Sequence, residues 1–442
     1  MTPREAALLS LNKCDTQNKY SNLELDASIK KYGLKGADRA LYTTLVYGVI
    51  ERHISLDYYI GMLSTTPVAK MESSVLNVLR LGLYQLLYMD RIPESAAVNE
   101  SVELSKLHCH NGVSGFVNGV LRSAVRKKDT LVPPDEKDAG EAMHLSIKYG
   151  IPQWLCGFWT GMYGREACEK ILRSTCNNPK ITLRVNTVLT DRESLIKKFE
   201  ALGISVSKTK ISPVGITLNE FVPISALTPM DEGLCYVQDE SSQICTLSLG
   251  ARPGETIADV CCCPGGKSFG VAMTMKNEGK LFCFDLHANK LSLVSKGAEK
   301  LGISIIETDV HNGSKPRPEL IGKLDRVICD APCSGLGVIA KKPDLRYKTP
   351  DDISRLPEIQ YNILKASAEY LKPGGTLVYS TCTLNRAENE EVTERFMKEH
   401  VDLFERVPLG VIPGEDDVCE RTIMPHEFTS DGFFIAKFQR KA

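Results

Sequence analysis

Through residues 1–126 apolar positions recur at intervals of three and four, the spacing of one helix face. Val113, Phe116, Val117, Val120, Leu121, Ala124 and Val125 form one such stripe. Ser74–Tyr88 (SVLNVLRLGLYQLLY) is apolar nearly all round, which predicts the buried central helix of an all-α domain. Asp38 and Asp57 are expected N-caps, and Pro93-Glu94-Ser95 is expected to separate two helices. Lys127–Gly140 (KKDTLVPPDEKDAG) holds two prolines and many charges and reads as a linker. Beyond it the period changes. Ile181–Val188 alternates as a strand, Glu193–Leu202 is helical, and Ile204, Val206 and Ile216–Leu218 suggest further strands of a small α/β module.

After Gly250 short apolar runs alternate with helical segments. Thr256–Val260, Lys280–Phe284, Ile303–Ile306, Asp325–Cys329 and Thr376–Tyr379 are the expected strands of a parallel, doubly wound, Rossmann-like sheet. Phe433–Phe438 follows without a crossover helix and suits an antiparallel strand in the edge region. The expected organisation is therefore multidomain: an all-α domain over 1–130, a small α/β module over 141–250, and an α/β Rossmann-like domain over 251–442.

Composition narrows the classes. In 442 residues, 54 basic against 55 acidic side chains leave a net charge of −1, so any polyanion site must come from a local patch. No apolar run approaches the ~18 residues of a membrane span, and no apolar signal core precedes Cys14. The fifteen cysteines include no C-x-x-C pair, and Cys261-Cys262-Cys263 are consecutive, which suits reduced thiols in the cytoplasm better than bridges or a zinc ribbon. His108-Cys109-His110 does not suggest a metal, because neighbours on a helix diverge.

Four constellations carry candidate chemistry. Asp259-Val260-Cys261-Cys262-Cys263-Pro264-Gly265-Gly266-Lys267 follows the first expected strand, where paired glycines let backbone N–H groups approach a ligand; alone, it is equally a plain turn. Asp285 ends the second strand, eighteen residues past Lys267, where a ribose diol is gripped in nucleoside-binding folds, or where a carboxylate caps the next helix. Asp309 follows the third. Asp330-Ala331-Pro332-Cys333-Ser334-Gly335-Leu336-Gly337 follows the fourth, and Ser380-Thr381-Cys382-Thr383 the fifth, so two cysteines lie just beyond strand ends. The pattern of a nucleoside-triphosphate loop is missing. Arg184, Lys341, Lys342 and Arg346 are candidates for phosphate contact, with plain surface charge the alternative; the same choice holds for Arg122, Arg126, Lys127 and Lys128.

The set CCCPGGK, DLH, DAPCSGLG, KPDLRY, LPEIQYNIL and YSTCT resembles the RNA (cytosine-5) methyltransferases. Asp38-Arg39, Leu45–Gly48, Leu79–Leu87, Ile92–Glu94, Ala96–Glu100 and Phe116–Asn118 resemble the NusB-like domain that bacteria fuse to the enzyme acting on 16S ribosomal RNA. Together the two likenesses span nearly the whole chain. The resemblance implies S-adenosylmethionine as methyl donor, no metal, 16S ribosomal RNA as partner, no membrane, and a monomer. Residue by residue it places Cys261, Cys262, Cys263, Pro264, Gly265, Gly266 and Lys267 along the S-adenosylmethionine site. It puts Asp285 on the ribose, Asp309 at the adenine side and Asp330 at the target base. Cys382 would be the nucleophile, Cys333 its partner in release, and Lys267 an aid at the base. One departure stands out: Cys262 and Cys263 replace the two alanines usual before that proline. Two other readings stay open, a transfer RNA cytosine-5 methyltransferase and a non-catalytic NusB-like RNA-binding or antitermination factor. The second would require a degraded site, and both cysteines, Asp330 and the glycine turn are intact.

Overall fold

The structure is a computed structural model that describes residues 1–17, 21–177, 179–428 and 430–442. The chain forms two compact units. The first comprises Met1–Asn177 together with Ile339–Tyr347, and the second comprises 178–338 and Lys348–Ala442.

The first unit holds helices α1 (Pro3–Gln17), α2 (Ser21–Tyr32), α3 (Gly36–Leu63), α4 (Ser73–Tyr88), α5 (Glu94–His108) and α6 (Val113–Arg126). After them come α7 (Glu136–Ala139), α8 (Glu141–Tyr149), α9 (Gln153–Tyr163) and α10 (Arg165–Ser174). Helix α4 buries nearly every residue from Val75 to Leu86, as its all-round apolar pattern predicts. A Cβ on Gly82 would stand 2.7 Å from Leu121 Cδ1, so only glycine lets α4 approach α6 this closely. Along α6 the predicted stripe points inward: Val113, Val117, Val120, Leu121 and Ala124 are buried, while Phe116 and Val125 pack at its margin.

Asp57 is not an N-cap. Helix α3 runs unbroken for 28 residues, and Asp57 lies inside it, accepting from Arg80 Nε at 2.7 Å and Arg80 Nη2 at 2.7 Å. Asp38 falls in the first turn of α3, one of the places where a carboxylate suits the helix dipole. The helices that follow the proline-containing stretch belong to this same compact unit.

The second unit holds two sheets. Strands β1 (Thr182–Val185), β2 (Val206–Lys208), β3 (Gly215–Leu218) and β4 (Cys235–Val237) make an antiparallel sheet in the order β2-β3-β1-β4, with helix α11 (Arg192–Ala201) and the short turn α12 (Thr228–Asp231). Strand β4 has no counterpart in the sequence reading. Helix α13 (Glu240–Ser248) leads to the larger sheet.

That sheet takes β5 (Thr256–Asp259), β6 (Lys280–Asp285), β7 (Ile306–Val310), β8 (Leu324–Asp330), β9 (Leu371–Thr381), β10 (Phe404–Arg406), β11 (Glu420–Ile423) and β12 (Phe433–Arg440). Its order is β10-β12-β9-β8-β5-β6-β7, with β11 also on β12. The five strands β9-β8-β5-β6-β7 are parallel, and β12 runs antiparallel between β9 and β10. Helices α14 (Gly266–Thr274), α15 (Ala288–Lys300), α16 (Pro350–Ile353), α17 (Leu356–Glu369) and α18 (Glu390–His400) connect them.

Alternation along the strands explains the layers. Ile257, Cys283, Ile328, Val378 and Ile435 share one core with residues of α13, α14 and α15. Their neighbours Ala258, Phe284, Val327, Leu377 and Phe434 share another with residues of α17 and α18. Because β6 and β7 lie on one side of β5 while β8 and β9 lie on the other, the order reverses between β5 and β8. A crevice opens beyond the carboxyl ends at such a point.

Candidate active site

Asp259 and Asp330 end the two strands that flank the reversal. Asp259 is fully buried. Its Oδ2 accepts from Ser268 Oγ at 2.6 Å, and its Oδ1 from the Cys261 N–H at 3.3 Å. Burial, with the Asp330 charge adding, pushes its carboxyl up to about 7. The turn continues through a cis Cys263–Pro264 bond to Gly265, whose φ of 109° lies outside the range of ordinary L residues. Helix α14 starts at Gly266, so the backbone donors of its first turn and the Lys267 side chain stand at the strand ends.

Lys267 Nζ donates to Asp330 Oδ2 at 2.8 Å, and Ser380 Oγ donates to Asp330 Oδ1 at 2.8 Å. The ammonium also sits 5.0 Å from the Phe433 ring centre. Burial alone would lower the Lys267 pKa. Asp330 and, further down, a Cys382 thiolate more than offset this and raise it. Lys267 therefore remains a cation, and by reciprocity its charge favours the thiolate of Cys382.

The two predicted thiols meet. Cys333 Sγ and Cys382 Sγ are 3.2 Å apart, and both side chains are partly exposed. The hydrogen bond to Cys382, then burial, holds the Cys333 thiol well above the usual range. Asp285 ends β6 and caps the next turn, its Oδ1 accepting from the His287 N–H at 2.9 Å. Asp309 lies near the end of β7, exposed and paired with Arg317. Of the three consecutive cysteines, Cys262 is buried in the core; its N–H donates to Phe284 O at 2.9 Å and its carbonyl accepts from the Gly265 N–H at 2.7 Å.

Two of the expected phosphate contacts are corrected. Arg184 is buried, donating from Nη2 to Gly270 O at 3.1 Å and from Nη1 to Gln238 and Thr246, so it braces α14 against β1. Arg346 is fully buried in the helical unit, where it donates to Glu51 O at 2.6 Å, Gly150 O at 3.3 Å and Pro343 O at 3.1 Å. Neither guanidinium reaches solvent. Lys341 and Lys342 are exposed. The sequence reading gave no role to Ser268, Ser380, Gln360 and Glu388, whose polar side chains are all buried beside these loops. Their only sequence signal is a position within or just after the motifs.

The residues fit S-adenosylmethionine. Asp259, Asp330 and Asp285 end β5, β8 and β6, which sets acidic groups where a ligand carrying sulfonium and ammonium charges would lie. Asp285 would hold the ribose diol, and the glycine turn at α14 the carboxylate end. Among the described residues no group of His, Cys, Asp and Glu could hold a metal, and no helix is long and apolar enough to cross a membrane.

A reversed parallel sheet with this turn and these acidic strand ends is an arrangement that S-adenosylmethionine-dependent methyltransferases share with other nucleoside-binding α/β proteins. Comparison with known proteins makes the class specific. Residues 246–439 match the family model "16S rRNA methyltransferase RsmB/F", 1–126 the NusB family, and 151–225 a ferredoxin-like domain of RsmF/B-like methyltransferases. The chain is 40% identical to the probable ribosomal RNA small subunit methyltransferase B of Bacillus subtilis (strain 168), over 99% of this chain and 98% of that one. It is 33% identical to ribosomal RNA small subunit methyltransferase B of Escherichia coli O1:K1 / APEC, over 91% of each. Among solved structures, that of PH0851 superposes with a TM-score of 0.80 at 25% identity, covering 99% of both chains. The protein belongs to this RsmB/Sun-type family of ribosomal RNA methyltransferases.

Proposed function

We propose that the protein transfers a methyl group from S-adenosylmethionine to carbon 5 of a cytosine in 16S ribosomal RNA, through a covalent bond between Cys382 and carbon 6 of the base. The observation that carries the reading is the 3.2 Å approach of Cys333 Sγ and Cys382 Sγ beside the Lys267–Asp330 pair.

Carbon 5 of cytosine is a poor nucleophile. Addition of the Cys382 thiolate at carbon 6 uses the sulfur lone pair for the new bond and pushes the ring π electrons towards carbon 5 and N3. A free thiol is only a few per cent ionised at neutral pH, so the Lys267 cation and the hydrogen bond from Cys333 favour the anion. Asp330 faces the base edge and accepts from its exocyclic amine, which fixes the ring against Cys382. Bound S-adenosylmethionine supplies an electrophilic methyl group on a positively charged sulfur. Once carbon 5 carries that methyl group, its remaining proton must leave. Cys333, having passed its own proton to solvent once Cys382 is bound up as a thioether, takes that proton directly or through a water; the C–H electrons restore the ring double bond and the C–S electrons return to Cys382.

Cys333 suits that late task because its largest restraint is the bond to Cys382. When Cys382 is a thioether it carries no charge, and Cys333 releases its proton more readily. The cytosine must be single-stranded or turned out of its stack to enter. The helical unit contributes RNA affinity, the chain works as a monomer in the cytoplasm, and no metal takes part.

Bisulfite sequencing of ribosomal and transfer RNA, from a strain with and without the gene, tests the reading. One 16S cytosine should lose its protection in the deletion. Loss confined to transfer RNA would favour the alternative substrate, and identical protection in both strains would refute the activity.

A further inference from the structure

We propose that Glu388 is a positioning residue that sets the separation of the two thiols by clamping the loops that carry them. The proposal deepens the two-cysteine reading above and rests on it.

Glu388 is fully buried in the turn after Cys382, at the end of a short 3-10 helix (Arg386–Glu388). Its Oε2 accepts from the Ser334 N–H at 2.8 Å, directly after Cys333, and from Gln360 Nε2 at 2.8 Å. Its Oε1 accepts from Asn385 Nδ2 at 2.9 Å. The same Gln360 Nε2 donates to Pro332 O at 2.9 Å, directly before Cys333. One carboxylate thus holds the peptide on one side of Cys333, and through Gln360 the peptide on the other. The far loop is tied in as well. Ser334 Oγ and Thr383 Oγ1 share a hydrogen at 2.6 Å, the Gly337 N–H donates to Cys382 O at 3.0 Å, and Tyr379 OH donates to Glu388 O at 2.6 Å. Lys348 Nζ closes the outer side on Ser334 O at 2.8 Å.

Further observations set this cluster apart from ordinary loop packing. The three side-chain contacts of the carboxylate come from neutral amides, an expensive way to bury a charge unless its geometry is needed. Gln360 Oε1 is buried with no hydrogen-bond donor, so the amide is held in the orientation that serves Pro332 and Glu388 at its own expense. A Cβ on Gly337 would stand 1.9 Å from Gly432 O, so only glycine lets the Cys333 loop approach Gly432 this closely. The Glu388 charge also opposes ionisation of Cys333, so the clamp favours the protonation pattern as well as the distance.

The test uses the full-length protein and two readouts. Diamide, a two-electron oxidant, takes two hydrogens from a close thiol pair and leaves a disulfide, so the rate of the Cys333–Cys382 crosslink, followed by peptide mass mapping, reads sulfur approach without turnover. Steady-state kinetics on 16S RNA reads the consequence. Glu388→Gln keeps the size and exchanges one acceptor for a donor; kcat and crosslinking should each fall about tenfold with KM for RNA within about twofold, and Glu388→Ala should cost about a hundredfold. Unchanged S-adenosylmethionine affinity by calorimetry certifies the fold, and if Glu388→Ala does not fold, the isosteric Gln variant decides. Crosslinking and kcat both at wild-type values, or a loss confined to KM, would overturn the proposal. A wild type that crosslinks but methylates no RNA would refute the functional reading instead, leaving the crosslinking comparison to decide this one.

Discussion

Asp57 in the helical unit and Asp259 in the catalytic unit are carboxylates surrounded by protein, yet their pKa values move in opposite directions. Burial pushes Asp57 up, but Arg80, bonded to both its oxygens, and His53 together bring it below the usual range. Asp259 hydrogen-bonds a serine hydroxyl and a backbone N–H, and burial, with the Asp330 charge adding and the more distant Lys267 cation opposing, takes it up to about 7. A cation opposite a buried carboxylate builds structure. A carboxylate left beside another carboxylate stores a cost that folding must offset elsewhere, and such costs collect where function requires them. Buried charge alone therefore does not mark the site; uncompensated buried charge at the strand ends does.

The largest effect should come from breaking the compensated pair. Arg80→Ala strands Asp57, and also removes the donor to Asn77 Oδ1. Stability should fall by about 3 kcal/mol or more, seen in denaturant titration, while S-adenosylmethionine affinity is unchanged. A loss below about 1 kcal/mol would make this pair no more than a surface bridge.

The cofactor side should respond less. Asp285→Ala should weaken S-adenosylmethionine binding by about 1.5–3 kcal/mol, the range for a hydrogen bond to a charged group. Calorimetry giving wild-type affinity would remove Asp285 from the ribose.

A pH-dependent effect is the most diagnostic of the contrast. The folded-state pKa of Asp259 is raised from 3.8 to about 7, so its contribution to stability is full below about 4 and lost as pH rises through about 7. Asp57, shifted down, contributes at neutral pH and loses that contribution as pH falls below about 4. Asp259→Asn should therefore gain on wild type as pH rises between about 4 and 8, and Asp57→Asn should lose on it as pH rises through the window below about 4. Parallel curves for Asp259→Asn and wild type would show that Asp259 stays ionised.

Much of this was legible in the sequence, for physical reasons. Four of the five parallel strands announce themselves as apolar runs, while the third, expected over Ile303–Ile306, forms instead over Ile306–Val310 and takes in Asp309; whatever follows a strand's carboxyl end is a site candidate, and that rule picked out Asp285, Asp330, Cys333 and Cys382. What it could not find were partners separated in the chain. Glu388 sits in a polar run and reads as surface, yet Ser334, 54 residues earlier, supplies one of its donors. Arg184 and Arg346 read as surface cations because their acceptors, carbonyls 86 and 295 residues distant, are invisible to local pattern. Strands β4, β10 and β11, of three or four residues, are too short to show a period. The KPDLRY motif reads as part of the catalytic domain, and the fold instead packs it with the helices, where Tyr347 OH donates to Ile50 O at 2.6 Å.

The central claim is that Cys382 makes the bond to carbon 6 and Cys333 acts only in release. Both Cys382→Ala and Cys333→Ala should nearly abolish turnover, so rates do not separate them; trapping does. Each variant is incubated with S-adenosylmethionine and substrate RNA, then run on a denaturing gel. Cys333→Ala should accumulate a denaturation-resistant protein–RNA band, and Cys382→Ala should give none. A band with Cys382→Ala that vanishes with Cys333→Ala would reverse the two roles and contradict the account.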